Sequence, residues 1–198
     1  MIWIELEFQH TTIKIKMILE QTPIQDLIII SPKVFNDERG YFFEAYNQAK
    51  FQENGIMYNF IQDNQSFSTK GVIRGLHLQI NPFAQAKLVR VLQGEILDVA
   101  VDLRKDSPTY GQHFSVVLST DNKKQLMVPH GFAHGFSVLS DTASVMYKVD
   151  QLYHKDSERG IRYDDPTLAI DWQVNPADVI VSEKDLILPA FKDIDWEF

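Results

Sequence analysis

The sequence predicts an all-β fold, a sandwich or a closed barrel, with a jelly roll among the options. Three observations support this prediction. Short segments of alternating apolar and polar residues recur along the 198-residue chain, turn-forming residues separate them, and they return at roughly 8–12-residue spacing. That spacing is typical of antiparallel sandwiches and barrels. Helical patterns are few and short.

The first predicted elements lie in the N-terminal part of the chain. Residues 13–16 read IKIK and residues 27–30 read LIII, a less regular case, and both are predicted strands. Residues 46–54 precede Gly55, which predicts a short helix that stops at this glycine. A second short helix is predicted to open at SEKD, residues 182–185, near the C-terminus.

Residues 88–103, LVRVLQGEILDVAVDL, carry the clearest strand pattern. The odd-numbered positions from 97 to 103 are all apolar and share one face. The even-numbered positions from 96 to 102 share the other face, which includes Asp98 and Asp102. Gly94 separates the two halves and predicts a bulge or a tight bend.

Two further pairs of predicted strands flank short turns. Residues 114–118 and 125–128 flank STDNKK, in which Asp121-Asn122 is favourable turn chemistry. Residues 136–139 and 143–149 flank SDT in the same way.

Composition narrows the class of protein. The net charge is −8, from 27 acidic and 19 basic residues, which argues against general binding to nucleic acid or to an anionic membrane. With no cysteine, disulfides and thiol chemistry are excluded. Residues 1–16 lack the pattern of a signal peptide, and no segment has the roughly 18 apolar residues of a membrane-spanning helix. We therefore expect a soluble cytoplasmic protein.

Residues 71–79, GVIRGLHLQ, place a histidine in a predicted strand. His77 and Gln79 would share one face of that strand, opposite Leu76 and Leu78. Two interpretations stay open at this point: an ionisable group lining a cavity, or a hydrogen-bonded core or rim histidine.

Residues 129–135, PHGFAHG, contain a second pair of histidines. His130 and His134 have the helical i, i+4 spacing of some metal ligands, but the glycines make a regular helix unfavourable. The sequence therefore favours a loop with one inward-pointing histidine over a metal site.

These segments resemble the two cupin motifs. Gly71-x5-His77 and Lys87-x6-Gly94 are similar to the first, whose metal-binding form is G-x5-H-x-H-x3–4-E-x6-G. Pro129-x-Gly131-x-x-His134 is similar to the second. Gln79 replaces a histidine ligand, Lys87 stands in the glutamate's place after a longer gap, and Val138 replaces an asparagine. Since a lysine cation repels a divalent metal, we expect the scaffold without its metal.

The chain as a whole resembles the dTDP-4-dehydrorhamnose 3,5-epimerase family of metal-free cupins. The resemblance rests on DERGYFFEAYN, FIQDNQS, RGLHLQ, AQAKLVRVLQGEILDVAVDLR, VPHGFAHGF, MYKV and SEKD, in family order over roughly residues 17–195. It implies a cupin jelly-roll barrel with a few short helices, in one domain over residues 17–198, and a homodimer. Residues 1–16 form an N-terminal extension, either an extra strand or a mispredicted start.

The same resemblance implies a reaction and its catalytic residues. The family's substrate is a dTDP-4-keto-6-deoxy sugar, epimerised at C3 and C5 through an enolate without a cofactor. His77 matches the base and Asp185 its partner carboxylate, although Ser182-x-x-Asp185 alone is better explained as a helix capping box. Tyr147 matches the acid on the opposite face, and Lys87 the cation near the oxyanion.

Further residues match the family's substrate-binding positions. Arg74 and Arg39 match contacts to the diphosphate, and Tyr153 matches an aromatic that stacks on thymine. The remaining matches are Glu44, Gln62, Asp63, Asn64, Asp98, His134, Glu158 and Lys184. A family-typical dimer swaps an N-terminal strand, in which case Arg39 and Glu44 would complete the neighbour's site.

Three functions remain in competition on the sequence. The first is the double epimerisation, which gives dTDP-4-dehydro-L-rhamnose for dTDP-rhamnose and cell-surface polysaccharide. The second is epimerisation at C3 only or C5 only of a related dTDP-4-keto sugar, by a relative with the same residues. The third is a non-catalytic cupin that binds nucleotide sugars, which the intact acid–base pair argues against.

Overall fold

Strands dominate the computed structural model, which describes residues 17–198. The strands are β1 (Ile18–Gln21), β2 (Ile28–Ser31), β3 (Phe35–Asp37), β4 (Gly40–Phe42), β5 (Gln62–Thr69), β6 (Ile73–Gln79), β7 (Lys87–Gln93), β8 (Glu95–Asp102), β9 (His113–Ser119), β10 (Gln125–Val128), β11 (Phe132–Val138), β12 (Thr142–Val149) and β13 (Glu158–Gly160). The α-helices are α1 (Gln48–Glu53) and α2 (Glu183–Leu186). The strand predicted at 13–16 lies outside the described residues, as does the whole N-terminal extension.

Two antiparallel sheets pack face to face as a jelly roll, which confirms the predicted fold class. The larger sheet has the order β1-β2-β10-β7-β12-β5, and the smaller has the order β13-β6-β11-β8-β9. β3 and β4 pair separately as a hairpin. In each of three consecutive pairs the two strands lie in different sheets: β7 with β8, β9 with β10, and β11 with β12. Each of the three turns predicted between these strands therefore carries the chain from one sheet to the other.

The core has an inner and an outer part. Val89, Leu126 and Phe136 belong to the cluster between the sheets. Both faces of β8 are buried: its even-numbered apolar positions, Ile96 and Ala100, join that inner cluster. Its odd-numbered positions pack under the C-terminal segment, in the cluster of Leu97, Val99, Val101, Leu103, Leu168 and Trp172. The predicted separation of the two faces is confirmed.

Gly94 makes the tight bend that the sequence predicts between β7 and β8. Its φ is +80°, a conformation that glycine adopts without steric cost. An added Cβ would lie 2.0 Å from the carbonyl oxygen of Thr142. The position thus requires glycine both for its backbone conformation and for the close approach of the neighbouring chain.

The second histidine segment is more regular than predicted. β11 begins at Phe132, so His134 lies in a strand, whereas the sequence favoured a loop up to Gly135. The glycine there serves close packing: a Cβ on Gly135 would lie 2.7 Å from the carbonyl oxygen of Arg74 on the paired strand β6. His134 is buried and faces inward, as expected, while His130 remains in the turn before the strand.

Both predicted helices are present and short. In α1, Gly55 follows the last turn with φ +85°. In α2, the Ser182 side chain accepts a hydrogen bond from the Asp185 N–H at 3.2 Å, which is the predicted N-cap. Over residues 17–198, no helix is long and apolar enough to cross a membrane.

Candidate active site

A cavity of about 510 Å³ opens into the barrel. Strands of both sheets and the C-terminal segment supply its walls: Ser66, Val72, Ile73, Arg74, His77, Lys87, His134, Phe136, Tyr147, Ile180, Val181, Ser182, Lys184 and Asp185. His77 and His134 are paired across β6 and β11. Period-two alternation explains this convergence, because each strand places every second side chain inside the barrel.

His77 and Asp185 form a hydrogen-bonded pair although 108 residues separate them in the chain. His77 Nε2 lies 2.7 Å from Asp185 Oδ1, and the carboxylate is almost fully buried. Burial raises the pKa of Asp185, but hydrogen bonds from the His77 ring and from the Gly75 N–H outweigh it, so the pKa is lowered. Asp185 is therefore a carboxylate, and Nε2 of His77 is the donor.

Lys87 is a cation in the wall of the cavity and is only 9% exposed. Its Nζ donates a hydrogen bond to the His77 carbonyl oxygen at 3.2 Å. Burial lowers the pKa of Lys87 to about 8, while the negative charges of Asp98 and Glu158 oppose that shift. A charge so poorly solvated interacts strongly with any anion formed in the cavity.

Asp98 lies behind the cavity wall and is fully buried. Its Oδ1 accepts a hydrogen bond from His134 Nε2 at 2.8 Å. Its Oδ2 has no hydrogen-bond partner among the described residues. The negative charge of Asp98 also raises the pKa of Lys87. Asp98 therefore interacts with two predicted site residues, His134 and Lys87.

Tyr147 and Arg74 also line this cavity. Tyr147 is half-buried on β12. Burial raises the pKa of its hydroxyl, and the positive charge of Arg74 partly opposes this rise. Arg74 is exposed, and its Nε donates to Ser68 Oγ at 2.9 Å. The guanidinium is thus held at the mouth of the cavity.

A second cavity of about 240 Å³ adjoins the first and shares His77, Lys87 and Tyr147 with it. The other residues of its wall are Gln62, Asn64, Leu78, Gln79, Gln85, Tyr153 and Glu158. The Tyr153 hydroxyl donates to Glu158 Oε2 at 2.8 Å, and Lys184 Nζ donates to the same oxygen at 2.7 Å. Burial raises the pKa of Glu158, but these hydrogen bonds outweigh it and leave the pKa lowered.

The structure brings most of the predicted site residues together and leaves three apart. Those at or directly behind the two cavities are His77, Lys87, Tyr147, Asp185, Gln62, Asn64, Arg74, Asp98, His134, Tyr153, Glu158 and Lys184. Asp63 points outward and pairs with Lys148 at 2.8 Å. Arg39 lies exposed on the β3–β4 turn and pairs with Asp37. Glu44 binds Lys50 at 2.7 Å beside α1.

Two site residues that the sequence argument missed lie on β5. Ser66 lines the larger cavity, and Ser68 holds Arg74. The signal that would have found them is alternation: Gln62 and Asn64 share the inward face of β5, and the same period continues to both serines. That period also explains why Asp63, between two inward residues, faces solvent.

The two cupin positions that carry metal ligands elsewhere have other partners here. Gln79 hydrogen-bonds main-chain atoms, and Lys87 is a cation. Within the part of the chain that the structure describes, no group of three or more His, Cys, Asp or Glu side chains is placed to hold a metal ion. A histidine–carboxylate pair, a tyrosine and a lysine face one cavity instead.

A cupin jelly roll with this set of proton donors, acceptors and cations defines an acid–base isomerase. The sequence model of the dTDP-4-dehydrorhamnose 3,5-epimerase family matches residues 21–193. The chain belongs to this family.

Individual relatives agree with the family assignment. The dTDP-4-dehydrorhamnose 3,5-epimerase of Shigella flexneri is 52% identical over 178 residues, which are 89% of this chain and 97% of that protein. The crystal structure of the Elizabethkingia anophelis enzyme of the same name has a TM-score of 0.88 and 54% identity, covering 91% of this chain and 99% of that one. The crystal structure of a Legionella pneumophila dTDP-6-deoxy-D-glucose-3,5-epimerase was solved in complex with dTDP-4-keto-L-rhamnose. It has a TM-score of 0.87 and 49% identity, covering 91% of this chain and 95% of that one.

Proposed function

We propose that this isomerase epimerises C3 and C5 of dTDP-4-dehydro-6-deoxy-D-glucose and forms dTDP-4-dehydro-L-rhamnose for dTDP-L-rhamnose biosynthesis. One observation carries the proposal: the His77–Asp185 pair shares a cavity with Tyr147 and Lys87 in a member of the epimerase family. The reaction requires a base, an acid and a stabilised enolate, and this set contains a residue type suited to each task.

His77 acts as the base in this mechanism. The C4 ketone acidifies the protons on C3 and C5, so an imidazole is basic enough to remove them. Because Nε2–H donates to Asp185, Nδ1 is the nitrogen left free to accept a proton. The imidazolium formed then lies 2.7 Å from a carboxylate, which stabilises it and fixes the ring's orientation.

Lys87 stabilises the enolate. Proton removal moves negative charge onto the C4 oxygen, and a buried ammonium interacts with that oxygen more strongly than a solvated one. Nζ uses one N–H on the His77 carbonyl, so two remain for the oxyanion. The cation is thereby tied to the strand that carries the base.

Tyr147 returns a proton from the opposite face, which inverts the carbon. Burial raises the pKa of the hydroxyl, so Tyr147 is protonated at neutral pH and acts as an acid. Both carbons use the same pair of groups, in two successive rounds of proton removal and return.

The carrier nucleotide occupies the mouth of the site. Arg74 and Lys184 supply positive charge for the diphosphate, and Tyr153 stacks on the thymine. Gln62, Asn64, Glu158 and His134 supply polar contacts around the sugar and the carrier. Asp63 remains a predicted contact as well, despite its outward direction on β5.

The active form is a homodimer in this proposal. Support comes from apolar side chains left on the surface: Phe67 on the edge strand β5, Ile18 on the edge strand β1, and Phe42 on the hairpin. Arg39 and Glu44, which line neither of the two cavities described above, would then reach the site of the neighbour. The cytoplasmic location stays a prediction from the sequence.

Solvent exchange tests the function directly. The enzyme is incubated with dTDP-4-keto-6-deoxyglucose in D2O, and C3 and C5 are followed by NMR. We expect deuterium at both carbons with the wild type and at neither with His77→Asn, whose affinity for dTDP should change by less than about twofold because the base does not hold the carrier.

Other results would select another function. Exchange at a single carbon would indicate a mono-epimerase, and exchange at neither would indicate a binding protein or another substrate. Residual wild-type exchange in His77→Asn would remove His77 from the role of base.

A further inference from the structure

Gln79 is a buried glutamine at the end of β6, two residues after the proposed base. It is only 4% exposed. Its Nε2 donates to the carbonyl oxygens of Phe83 at 2.6 Å and of Leu152 at 3.2 Å. Its Oε1 accepts the His154 N–H at 2.6 Å. One side-chain amide therefore fastens two loops to the strand that carries His77.

The two loops, residues 80–86 and 150–157, also contact each other. The rings of Phe83 and His154 stack at 3.8 Å between centroids with 6° between their planes. Gln85 Nε2 donates to the Gln151 carbonyl oxygen at 2.5 Å. Gln79 lies beneath this contact and bonds main-chain atoms on both sides of it. Gln79 thus adds an anchor on β6 to the direct contacts between the two loops.

The second loop carries the aromatic residue of the proposed nucleotide site. Tyr153 lies between Leu152 and His154, the two residues whose main chain Gln79 holds. Tyr153 is 59% exposed. Its hydroxyl donates a hydrogen bond to Glu158, the residue opposite Gln79 in the β6–β13 pair. Gln79, Tyr153 and Glu158 line the same cavity. The amide therefore sets where an exposed aromatic ring stands.

We infer that Gln79 is a positioning residue that holds the Tyr153 loop ready for the pyrimidine base of the nucleotide. The inference rests on the proposed function, which gives Tyr153 its ligand. An exposed ring on a loop that is already ordered loses little conformational freedom when a base stacks on it. Without the anchor, binding has to order the loop first, so affinity falls while the chemistry at His77 is unaffected.

The residue type fits this role better than the histidine of metal-binding cupins. A glutamine amide has two N–H donors and an oxygen acceptor, and all are used here. A neutral imidazole has one donor and one acceptor, so it satisfies at most two of the three main-chain groups. The position that holds a histidine ligand in the metal-binding cupin motif therefore holds a loop anchor in this chain.

Gln79→Met tests the inference, since methionine nearly preserves the shape and cannot make the hydrogen bonds. We expect the KM for dTDP-4-keto-6-deoxyglucose and the Kd for dTDP to rise about tenfold, the effect of losing roughly one good hydrogen bond. We expect kcat to stay within about twofold. Hydrogen–deuterium exchange should show faster exchange in peptides covering residues 150–158.

Ser137→Ala is the matched control. Ser137 is fully buried on β11. Its hydroxyl donates to the Trp172 carbonyl oxygen at 2.7 Å, on the face of β11 that points away from the cavity. This variant also loses a buried side-chain to main-chain hydrogen bond. We expect Ser137→Ala to lower the Tm, as Gln79→Met should. Unlike Gln79→Met, it should leave KM and the hydrogen-exchange protection of residues 150–158 unchanged.

An unchanged KM and dTDP Kd in Gln79→Met would overturn the inference, and so would a fall in kcat with KM unchanged. If the methionine variant does not fold, Gln79→Glu replaces it, because a carboxylate cannot donate to the two carbonyls and should give the same rise in KM. A wild-type enzyme that exchanges neither carbon would reject the proposed function instead. Binding of dTDP and protection of the loop would still decide the role of Gln79.

Discussion

Lys87 shows how burial changes the chemistry of a single residue. The sequence places a lysine where a metal-binding cupin has a glutamate, and the resemblance assigns it to the oxyanion. The three-dimensional surroundings add that the ammonium is hardly exposed and that its pKa is lowered to about 8, mainly by burial. That value lies close enough to neutrality for the charge of Lys87 to be lost within the working pH range of an enzyme.

We predict an alkaline limb in kcat/KM, which reports the ionisations of the free enzyme, and we assign it to Lys87. The ammonium is the active form, so the contribution of Lys87 is kept below pH 8 and is lost as the pH rises through about 8. A kcat/KM profile between pH 6 and pH 9.5 checks this. Tyr147 does not produce that limb, since its pKa is raised above the ordinary tyrosine value of about 10.

Lys87→Arg is the matched variant for this prediction. Its guanidinium stays charged throughout the range, so the limb should disappear even though altered geometry lowers kcat, by about tenfold or more. A limb that persists near pH 8 in Lys87→Arg would assign the titration to another group.

The short helix α2 combines two roles that the sequence presented as alternatives. Ser182 caps the helix by accepting the Asp185 N–H, and the Asp185 carboxylate binds His77. The backbone and the side chain of Asp185 point in different directions, so one residue serves both. A four-residue helix has little stability of its own. Its cap and its bond to His77 together hold the carboxylate in the site.

Gly94 makes the bend that carries the chain from β7 in the larger sheet to β8 in the smaller one. We predict that Gly94→Ala destabilises the fold by at least about 3 kcal/mol, since the new methyl would both strain a left-handed backbone and meet the Thr142 carbonyl oxygen at 2.0 Å. Denaturant unfolding measures the free energy of unfolding in both proteins.

Gly55→Ala separates the two causes. Gly55 has φ +85°, close to that of Gly94, but an added Cβ would meet no atom within 4 Å. This variant should therefore cost only about 1–2 kcal/mol, the price of the left-handed conformation. Equal losses in the two variants would show that the close approach at Gly94 contributes nothing.

In the proposed mechanism the described residues of one chain supply the acid, the base and the cation, whereas two predicted binding residues lie outside the site. Arg39 and Glu44 match binding positions of the family but lie outside both cavities of their own chain. Large apolar side chains remain exposed on the edge strands and on the hairpin that leads to Arg39. The proposed homodimer would account for both features, because a second copy of the chain would cover the apolar surface and receive Arg39 and Glu44 at its own site.

Heterodimers test whether the site is shared. Arg39→Ala and His77→Asn subunits are co-expressed with different tags, and dimers holding one of each are purified. If Arg39 completes the neighbour's site, one of the two sites is intact, and activity at low substrate should reach about half that of the wild type. Mixed dimers as inactive as the two parent proteins would place Arg39 in its own subunit's site.

Local pattern was sufficient to predict much of this protein. Alternation along residues 88–103 predicted the two faces of β8, and Gly94 predicted the bend, because strand geometry and left-handed backbone depend on neighbouring residues alone. The motifs around His77, Lys87 and Tyr147 predicted the family, which the match over residues 21–193 shows. Both short helices were predicted from their capping residues.

Packing of the two sheets decided the rest. The family resemblance predicted that Asp185 is the partner of His77, but their 2.7 Å contact exists only in the folded chain. No local pattern indicates that Gln79 holds the Tyr153 loop or that the predicted turns cross between sheets. Burial depends on the whole fold, so the lowered pKa of Lys87 appears only in the assembled barrel. These features come from groups distant in sequence, whose separation only the tertiary structure sets.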